Sequence, residues 1–379
     1  MKILVVGPTF PFRGGIAHYT TLLSQTLSEH HDVTLLSFTR QYPQFLFPGK
    51  TDRDTSETPI RFGNTIHMID SMNPLTWFRA VRLIQELNPD QIIVPWWASF
   101  WAPIFWTILR SVKRKTTSKI VFICHNAVDH ESHPFAKAAS RAVLTKADHL
   151  ITHSKEVTRD LEVILGRGIG ITTAFLPTFE QVGVKKYSRE DARHDLKLSG
   201  DVLLFFGFVR DYKGLHVLLE ALRIVLRKKQ VTLLVVGEFW KGKKQYLGEI
   251  ESLGISEHVQ IIDRYVPNEE IGKYFSASDL VVQPYLSASG SAICQLAYGF
   301  DRPVIATRVG SLSEVIEDGV NGRLVTPGDR TGLAAAILES IEPEVKQRFS
   351  ENAVKTKDKF SWEKMARIIT GDPNGEKDR

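Results

Sequence analysis

The feature that most constrains this chain is a rhythm. Short runs rich in Val, Ile and Leu alternate with longer segments of helical period, the pattern of β-α-β units. In the first half the strand-like runs are Lys2–Gly7, Val33–Phe38, Thr65–Ile69, Gln91–Val94, Ile120–Cys124 and His149–Thr152, with helical periods over Ile16–Ser28, Leu75–Leu87 and Phe135–Thr145. The pattern breaks near Leu176-Pro177 into the polar stretch Glu180–Gly200. It then restarts with Val202–Phe206, a helical run Leu215–Lys228, and strands at Val231–Val236, Val259–Ile262, Leu280–Gln283 and Pro303–Ala306. Two complete series with one break predict an α/β fold of two parallel-sheet domains rather than one large sheet. The strands are near-continuously apolar, as expected for sheets covered by helices on both faces. The expected divisions are residues 1–180, 181–360 and a last helix, 361–379. That helix reads from about Lys355 through Trp362 to Ile369, and Arg40–Arg61 reads as an irregular, mobile loop.

Composition narrows the class. At 379 residues, 43% hydrophobic and 24% charged, the chain is long enough for two well-buried cores. Two cysteines, Cys124 and Cys294, cannot build a disulfide framework or a four-cysteine metal site. No secretory signal is legible, so a cytoplasmic location is expected. A net charge of +5 leans towards anionic partners without the interleaved aromatic pattern of a nucleic-acid binder.

Ile92–Leu109 is 18 residues without a charge, carrying Trp96, Trp97, Phe100, Trp101, Phe105 and Trp106 before Arg110, Lys113, Arg114 and Lys115. Its length alone would suit a membrane span, but Pro95 and Pro103 split it. A strand followed by an aromatic-rich helix fits the rhythm better, and that helix could also touch a membrane surface, peripherally, through its Trp and basic residues.

Several turns carry candidate chemistry. Gly14-Gly15 follow the first strand and open a helix, where backbone amides and the helix dipole favour an oxyanion. Phe122–Asn126 is a strand ending in His125-Asn126, at the end of a parallel strand where such folds bind ligands. His130, Glu131 and His133 follow, with spacing unlike a helical zinc pair, so no metal is expected. Gly207 through Gly214 places Arg210 and Lys213 between a strand and a helix, two cations able to hold a diphosphate. Ser287–Ala292, with Ser289, Gly290, Ser291 and Ala292 before a helix, is a further phosphate-binding candidate.

Together these stretches resemble the group 1, or family 4, retaining glycosyltransferases of GT-B fold, which implies two Rossmann-like parallel-sheet domains facing a central cleft and a last helix, 361–379, crossing back to the first domain. The resemblance runs from Gly14-Gly15 to Trp362 and is most specific at Lys213-Gly214 and from Arg302-Pro303 through Gly310, Glu314 and Asn321-Gly322. It implies a hexose-type sugar moved from a nucleotide diphosphate to a saccharide or lipid-linked acceptor, in cell-surface polysaccharide or glycolipid synthesis, without cofactor or metal. Arg210 and Lys213 resemble the diphosphate pair, Gly15 the amino-terminal phosphate contact, and His125 the histidine beside the transferred sugar. Gly207, Glu238, Arg264, Tyr265 and Gln295 are the expected nucleotide contacts; His18, Asn126, His130 and Glu131 are the expected acceptor contacts. The family's two glutamates fall at Ala288 and Leu296, with Gln295 adjacent. A weakly catalytic protein that binds nucleotide or saccharide, or supports a partner enzyme, is the alternative those two positions raise.

Overall fold

The computed structural model describes residues 1–43, 51–127, 135–166, 168–182 and 187–371. The chain divides into two units, one formed by Met1–Thr55, Pro59–Phe175 and the segment from Trp362, the other by Ser56–Thr58 and Leu176–Ser361.

The first unit runs β1 (Lys2–Val6), α1 (Gly15–Ser28), β2 (Asp32–Arg40), β3 (Thr65–Asp70), α2 (Pro74–Leu87), β4 (Gln91–Trp96), α3 (Ala102–Lys115) and β5 (Lys119–Cys124). It continues through α4 (Ala136–Leu144), β6 (His149–Thr152), α5 (Lys155–Leu165) and β7 (Gly170–Thr173). All seven strands are parallel, in the order β3-β2-β1-β4-β5-β6-β7. β7 escaped the sequence reading because Gly-Ile-Thr-Thr at a sheet edge is short and only half-buried. The order reverses between β1 and β4, which makes that pair the topological switch point of the sheet.

The second unit runs α6 (Arg189–Leu196), β8 (Asp201–Phe206), α7 (Leu215–Leu226), β9 (Val231–Val236), α8 (Lys243–Ser252), β10 (Val259–Ile262), α9 (Asn268–Ala277) and β11 (Leu280–Gln283). It closes with α10 (Ala292–Gly299), β12 (Val304–Thr307), α11 (Leu312–Val315), β13 (Gly322–Val325), α12 (Arg330–Ser340) and α13 (Pro343–Lys357). Its six parallel strands order as β10-β9-β8-β11-β12-β13, with the switch between β8 and β11. Within the polar stretch before β8, α6 is a helix capped by Ser188, whose Oγ accepts from Asp191 N–H at 3.0 Å. It is tied down through buried Asp279, which takes Arg189, Arg193 (2.6 Å) and the Val202 N–H (2.8 Å).

The carboxyl-terminal segment departs from a single helix. α13 ends at Lys357, a 3₁₀ turn covers Asp358–Phe360, and Ser361 is extended before α14 (Trp362–Thr370). α14 packs on the first unit, where Trp362 lies 5.1 Å from Tyr19 and the Ile369 carbonyl accepts from Gln91 Nε2 at 2.9 Å.

The aromatic segment resolves into β4, a 3₁₀ turn at Ser99–Trp101, and α3. Trp96, Trp101 and Phe105 are buried in the core together with Phe38 and Phe122. Among the described residues no helix is long and apolar enough to cross a membrane. Of the loop expected to be mobile, one part is fixed. Arg13 N–H donates to Asp52 O (3.0 Å), Asp54 N–H to Pro11 O (2.9 Å), and the Arg53 guanidinium lies over the Phe12 ring.

Candidate active site

In the second unit the loops after β8 and β11 meet at the switch point. Gly214, at φ 69°, turns the chain into α7, and a Cβ there would run into the Pro284 carbonyl oxygen. This close approach, together with the Leu286 N–H bond to Tyr212 O (2.7 Å), locks the Arg210–Gly214 turn against the start of the Tyr285–Ser291 loop. Lys213 is drawn inward by the same turn and is only 9% exposed. Its Nζ lies 3.2 Å from where a Gly207 Cβ would stand and 5.5 Å from the centre of the Tyr285 ring. Burial, then the Arg210 charge, lower its pKa to about 8. Among the described residues no ion pair compensates that ammonium. Arg210 stacks on Trp240 at 3.7 Å, which fixes the plane of its guanidinium.

The loop before α10 completes this end. Ser291 caps α10, accepting from Cys294 N–H at 3.4 Å, and Ser311 N–H donates to Ser289 O at 3.0 Å. Gly290 is exposed, and Ala292 is half-buried at the first helical position. Two cations and a helix start thus converge at the ends of adjacent strands, an arrangement that binds phosphate oxygens.

Other expected nucleotide contacts sit at neighbouring strand ends. Glu238 follows β9 and is 6% exposed. Arg264 and Tyr265 follow β10; Arg264 forms a two-pronged ion pair with Glu270 (Nη1 to Oε1, 3.0 Å) and also reaches the Tyr274 hydroxyl at 3.2 Å. Gln295 is placed differently. Ile293 faces Gly207, and at about 100° per residue Gln295 lies some 200° round the helix from it. Its amide is buried and makes no hydrogen bond among the described residues, and the same holds for Gln283 at the end of β11. Leu296, on the Ile293 side, is apolar and buried, as is Ala288.

In the first unit, α1 begins at Gly14, whose φ of 109° needs glycine, and no side chain caps its first amides. Gly15 is exposed. At the end of β5, His125 N–H bonds Trp96 O (2.8 Å), and Asn126 Nδ2 bonds Trp97 O (3.1 Å). The His125 ring meets Tyr19 edge-on at 4.7 Å and lies 4.9 Å from His153, which sequence reasoning missed. His153 Nδ1 pairs with the Phe175 carbonyl at 2.7 Å, so that nitrogen carries the proton and Nε2 of the neutral ring is an acceptor. Nε2 of His18, of His125 and of His153, and the Tyr19 hydroxyl, have no hydrogen-bond partner among the described residues. Burial holds His125 well below the usual histidine range and His153 at about 4; the neighbouring His153 lowers His125 further. His18 is also lowered by burial, with Asp54 opposing. His130 and Glu131, expected among the acceptor contacts, lie outside the described residues, as does His133. A signal for His153 existed, since it ends β6 one strand along from His125, but a single His after a four-residue strand drew no attention.

The comparisons with known proteins follow this geometry. Residues 13–167 match the family model described as Glycosyltransferase Family 4, and residues 200–342 match Glycosyl transferases group 1. The chain is 28% identical over 253 residues to a D-inositol 3-phosphate glycosyltransferase of Streptosporangium roseum, a match covering 63% of this chain and 58% of that relative. A match to a protein of the same description from Thermobifida fusca covers 59% of this chain and 54% of the relative at 28% identity. The chain thus spans less than two thirds of the length of these curated relatives. Among solved structures, Anabaena HepE in complex with UDP superposes with a TM-score of 0.75 at 20% identity, covering 99% of this chain and 100% of that one. Sucrose-phosphate synthase from Thermosynechococcus elongatus does so at 0.73 and 18%, covering 98% of each chain. The two domain matches together span most of the sequence, and the neighbours share the fold. The chain belongs to the group 1, family 4 glycosyltransferases of GT-B fold.

Proposed function

We propose that this chain is a retaining glycosyltransferase moving a hexose-type sugar from a nucleoside diphosphate to a saccharide or lipid-linked acceptor in cell-surface polysaccharide or glycolipid synthesis. The observation that carries the reading is Lys213, a buried ammonium at the β8/β11 switch point with Arg210 beside it. A buried ammonium beside a second cation is unfavourable by itself and becomes favourable once a diphosphate binds. It also neutralises the charge that grows as the diphosphate departs. In this reading Gly207 and the Ser289–Ala292 helix start line the same phosphates, while Glu238, Arg264 and Tyr265 contact the nucleoside. Gly14, Gly15 and His125 are the first unit's contribution to transfer, and His18 and Asn126 contact the acceptor.

The bond from the anomeric carbon to the diphosphate oxygen breaks, and a bond to the acceptor oxygen forms on the same face. The acceptor's proton passes to the departing diphosphate. His125, kept neutral by burial, hydrogen-bonds a sugar hydroxyl rather than supplying charge. HepE was solved with UDP and with UDP-glucose, and this supports UDP-glucose as the first donor to test. A lipid-linked acceptor would place the work at the cytoplasmic face of a membrane.

Ala288 and Leu296, apolar where carboxylates would grip a sugar, favour a second reading, a protein that binds its nucleotide sugar without efficient transfer. Donor and acceptor separated by dialysis decide between them. Transfer with retained anomeric configuration supports the enzyme, an inverted product sinks the retaining mechanism, and saturable UDP binding without product favours the second reading.

A further inference from the structure

The sequence draws attention to the aromatic segment around Trp101 as a surface for membranes, yet the structure buries Trp101 completely. Exposed large apolar side chains are scattered over the chain, but three of them, Met72, Leu75 and Phe78, cluster at the amino-terminal end of α2. Met72, Leu75 and Phe78 are 54%, 68% and 58% exposed. The inward face of this helix, Ala80, Val81 and Ile84, is buried, so the outward face is set by helical period and reads Leu75, Phe78, Arg79, Arg82.

The apolar end is not a frayed terminus. Asn73 caps the helix through its bond from Leu75 N–H (3.1 Å), the Thr76 hydroxyl bonds Asn73 O (2.6 Å), and Asp70 Oδ1 accepts from Met72 N–H (2.8 Å). Trp77 Nε1 anchors the same turn on Asp70 O at 2.8 Å. A rigidly presented pair of large apolar side chains one turn from unpaired cations is what an interfacial helix offers. Among the described residues Arg79 and Arg82 have no ion-pair or hydrogen-bond partner. α3 packs beside α2 and adds Arg110, lying over the Trp106 ring at 4.7 Å, and exposed Arg114 on its own outer side. Glu86 is the one acid on the outer face of α2.

We propose that the outer face of α2 is the membrane-docking surface of this protein, with Leu75 and Phe78 entering the headgroup layer and Arg79 and Arg82 meeting anionic lipid. This rests on the lipid-linked side of the acceptor reading and gives that reading a surface. Charge complementarity selects the occupant, because an anionic membrane presents an apolar layer beneath a negatively charged surface, which matches an apolar tip rimmed by cations on both helices.

The experiment is co-sedimentation of the full chain with phosphatidylglycerol/phosphatidylcholine vesicles and with pure phosphatidylcholine vesicles, over a salt series. The wild type is expected to sediment with the anionic vesicles and to be released by salt. L75S/F78S should lower the bound fraction at least fivefold, and R79S/R82S should weaken binding to anionic vesicles alone. Circular dichroism and the thermal shift with UDP should be unchanged in both variants, since neither pair touches a core or a strand end. Unaltered sedimentation of L75S/F78S overturns the proposal, as does a wild type that ignores anionic vesicles. So does a wild-type dimer by light scattering that L75S/F78S turns monomeric without any vesicle binding, which would make the face an interface between copies. Loss of the UDP shift in the wild type would count against the donor site instead, leaving the sedimentation result to stand separately.

Discussion

The two units share a doubly wound parallel sheet and place their distinctive side chains at the same topological position, yet the chemistry there differs. At the β8/β11 switch the buried group is a cation, Lys213, with a second cation near it. At the β1/β4 switch and the strands beside it a cation, Arg13, is also buried, but the ring groups gathered there are neutral: Tyr19, His153 and His125. Topology fixes where a ligand can meet the sheet; the loop residues decide what kind. A cation held out of water invites an anion. Neutral acceptors and a hydroxyl held out of water suit hydroxyl-rich ligands. Under the proposed function, diphosphate falls to the second unit and sugar hydroxyls to the first.

The largest test removes the cation. Lys213→Ala should lower kcat/KM by roughly 10² to 10³, as loss of one preorganised charge donor does elsewhere. Turnover within about twofold of wild type would end the diphosphate assignment. His125→Phe should cost somewhat less, about 10²-fold in kcat, with UDP affinity unchanged. If it weakened UDP binding as much as Lys213→Ala does, the division of labour between the units would be lost.

A structural substitution sharpens the same point. Gly214→Ala forces a side chain into left-handed backbone and onto the Pro284 carbonyl, so it should destabilise the second unit by about 3 kcal/mol or more, read as a lowered midpoint in chemical denaturation. An unshifted midpoint would mean that the β8 and β11 loops are not locked together as described.

Acid and base should then separate the units. His153 titrates at about 4 in the folded chain and near 6.5 unfolded, so the unfolded state binds more protons between those values. Its contribution is fully present above about 6.5 and is lost as pH falls towards 4. His125 and His18, lowered in the same direction, add to that loss. Lys213, at about 8 when folded against 10.5 unfolded, is also depressed, so stability rises as pH climbs from about 8 towards 10.5. Lys213→Met should accordingly be more stable than wild type at pH 7, by a margin that shrinks above pH 8. Diphosphate affinity runs the other way, since it needs the protonated amine and should fade as pH rises through about 8. Denaturation midpoints and UDP affinities across pH 4–10 check all of these signs. The smallest effect should come from Glu270→Gln, whose pair with Arg264 is largely in water and should contribute no more than about 1 kcal/mol to the stability of the unit.

Much of this was legible before any coordinates. Strand runs such as Leu-Leu-Val-Val at the end of β9 and the glycines bracketing Lys213 announce a parallel sheet and its functional turn. Edge strands were harder, because β7 and β13 are four-residue stretches with half-buried faces whose pairing partner, not their own pattern, makes them strands. A division at residue 361 stood in the sequence reading, but the last helix was read from about Lys355, whereas α13 ends at Lys357 and α14 starts at Trp362 after a 3₁₀ turn. Side-chain direction is the other gap. Adjacent Gln295 and Leu296 look interchangeable on paper, yet the helix turns one of them away from Gly207. Trp101 reads as an interfacial anchor by composition, yet it is buried, while the less aromatic α2 holds Leu75 and Phe78 exposed.

The central claim is that diphosphate binds the second unit's cations and does not depend on the first unit's neutral cluster. Isothermal titration of UDP, with GDP, ADP and dTDP alongside, into wild type, Lys213→Ala and His125→Phe tests it most directly. The account predicts one preferred diphosphate, affinity reduced at least about tenfold in Lys213→Ala, and affinity within twofold of wild type in His125→Phe. Full affinity in Lys213→Ala, or its collapse in His125→Phe, would contradict it.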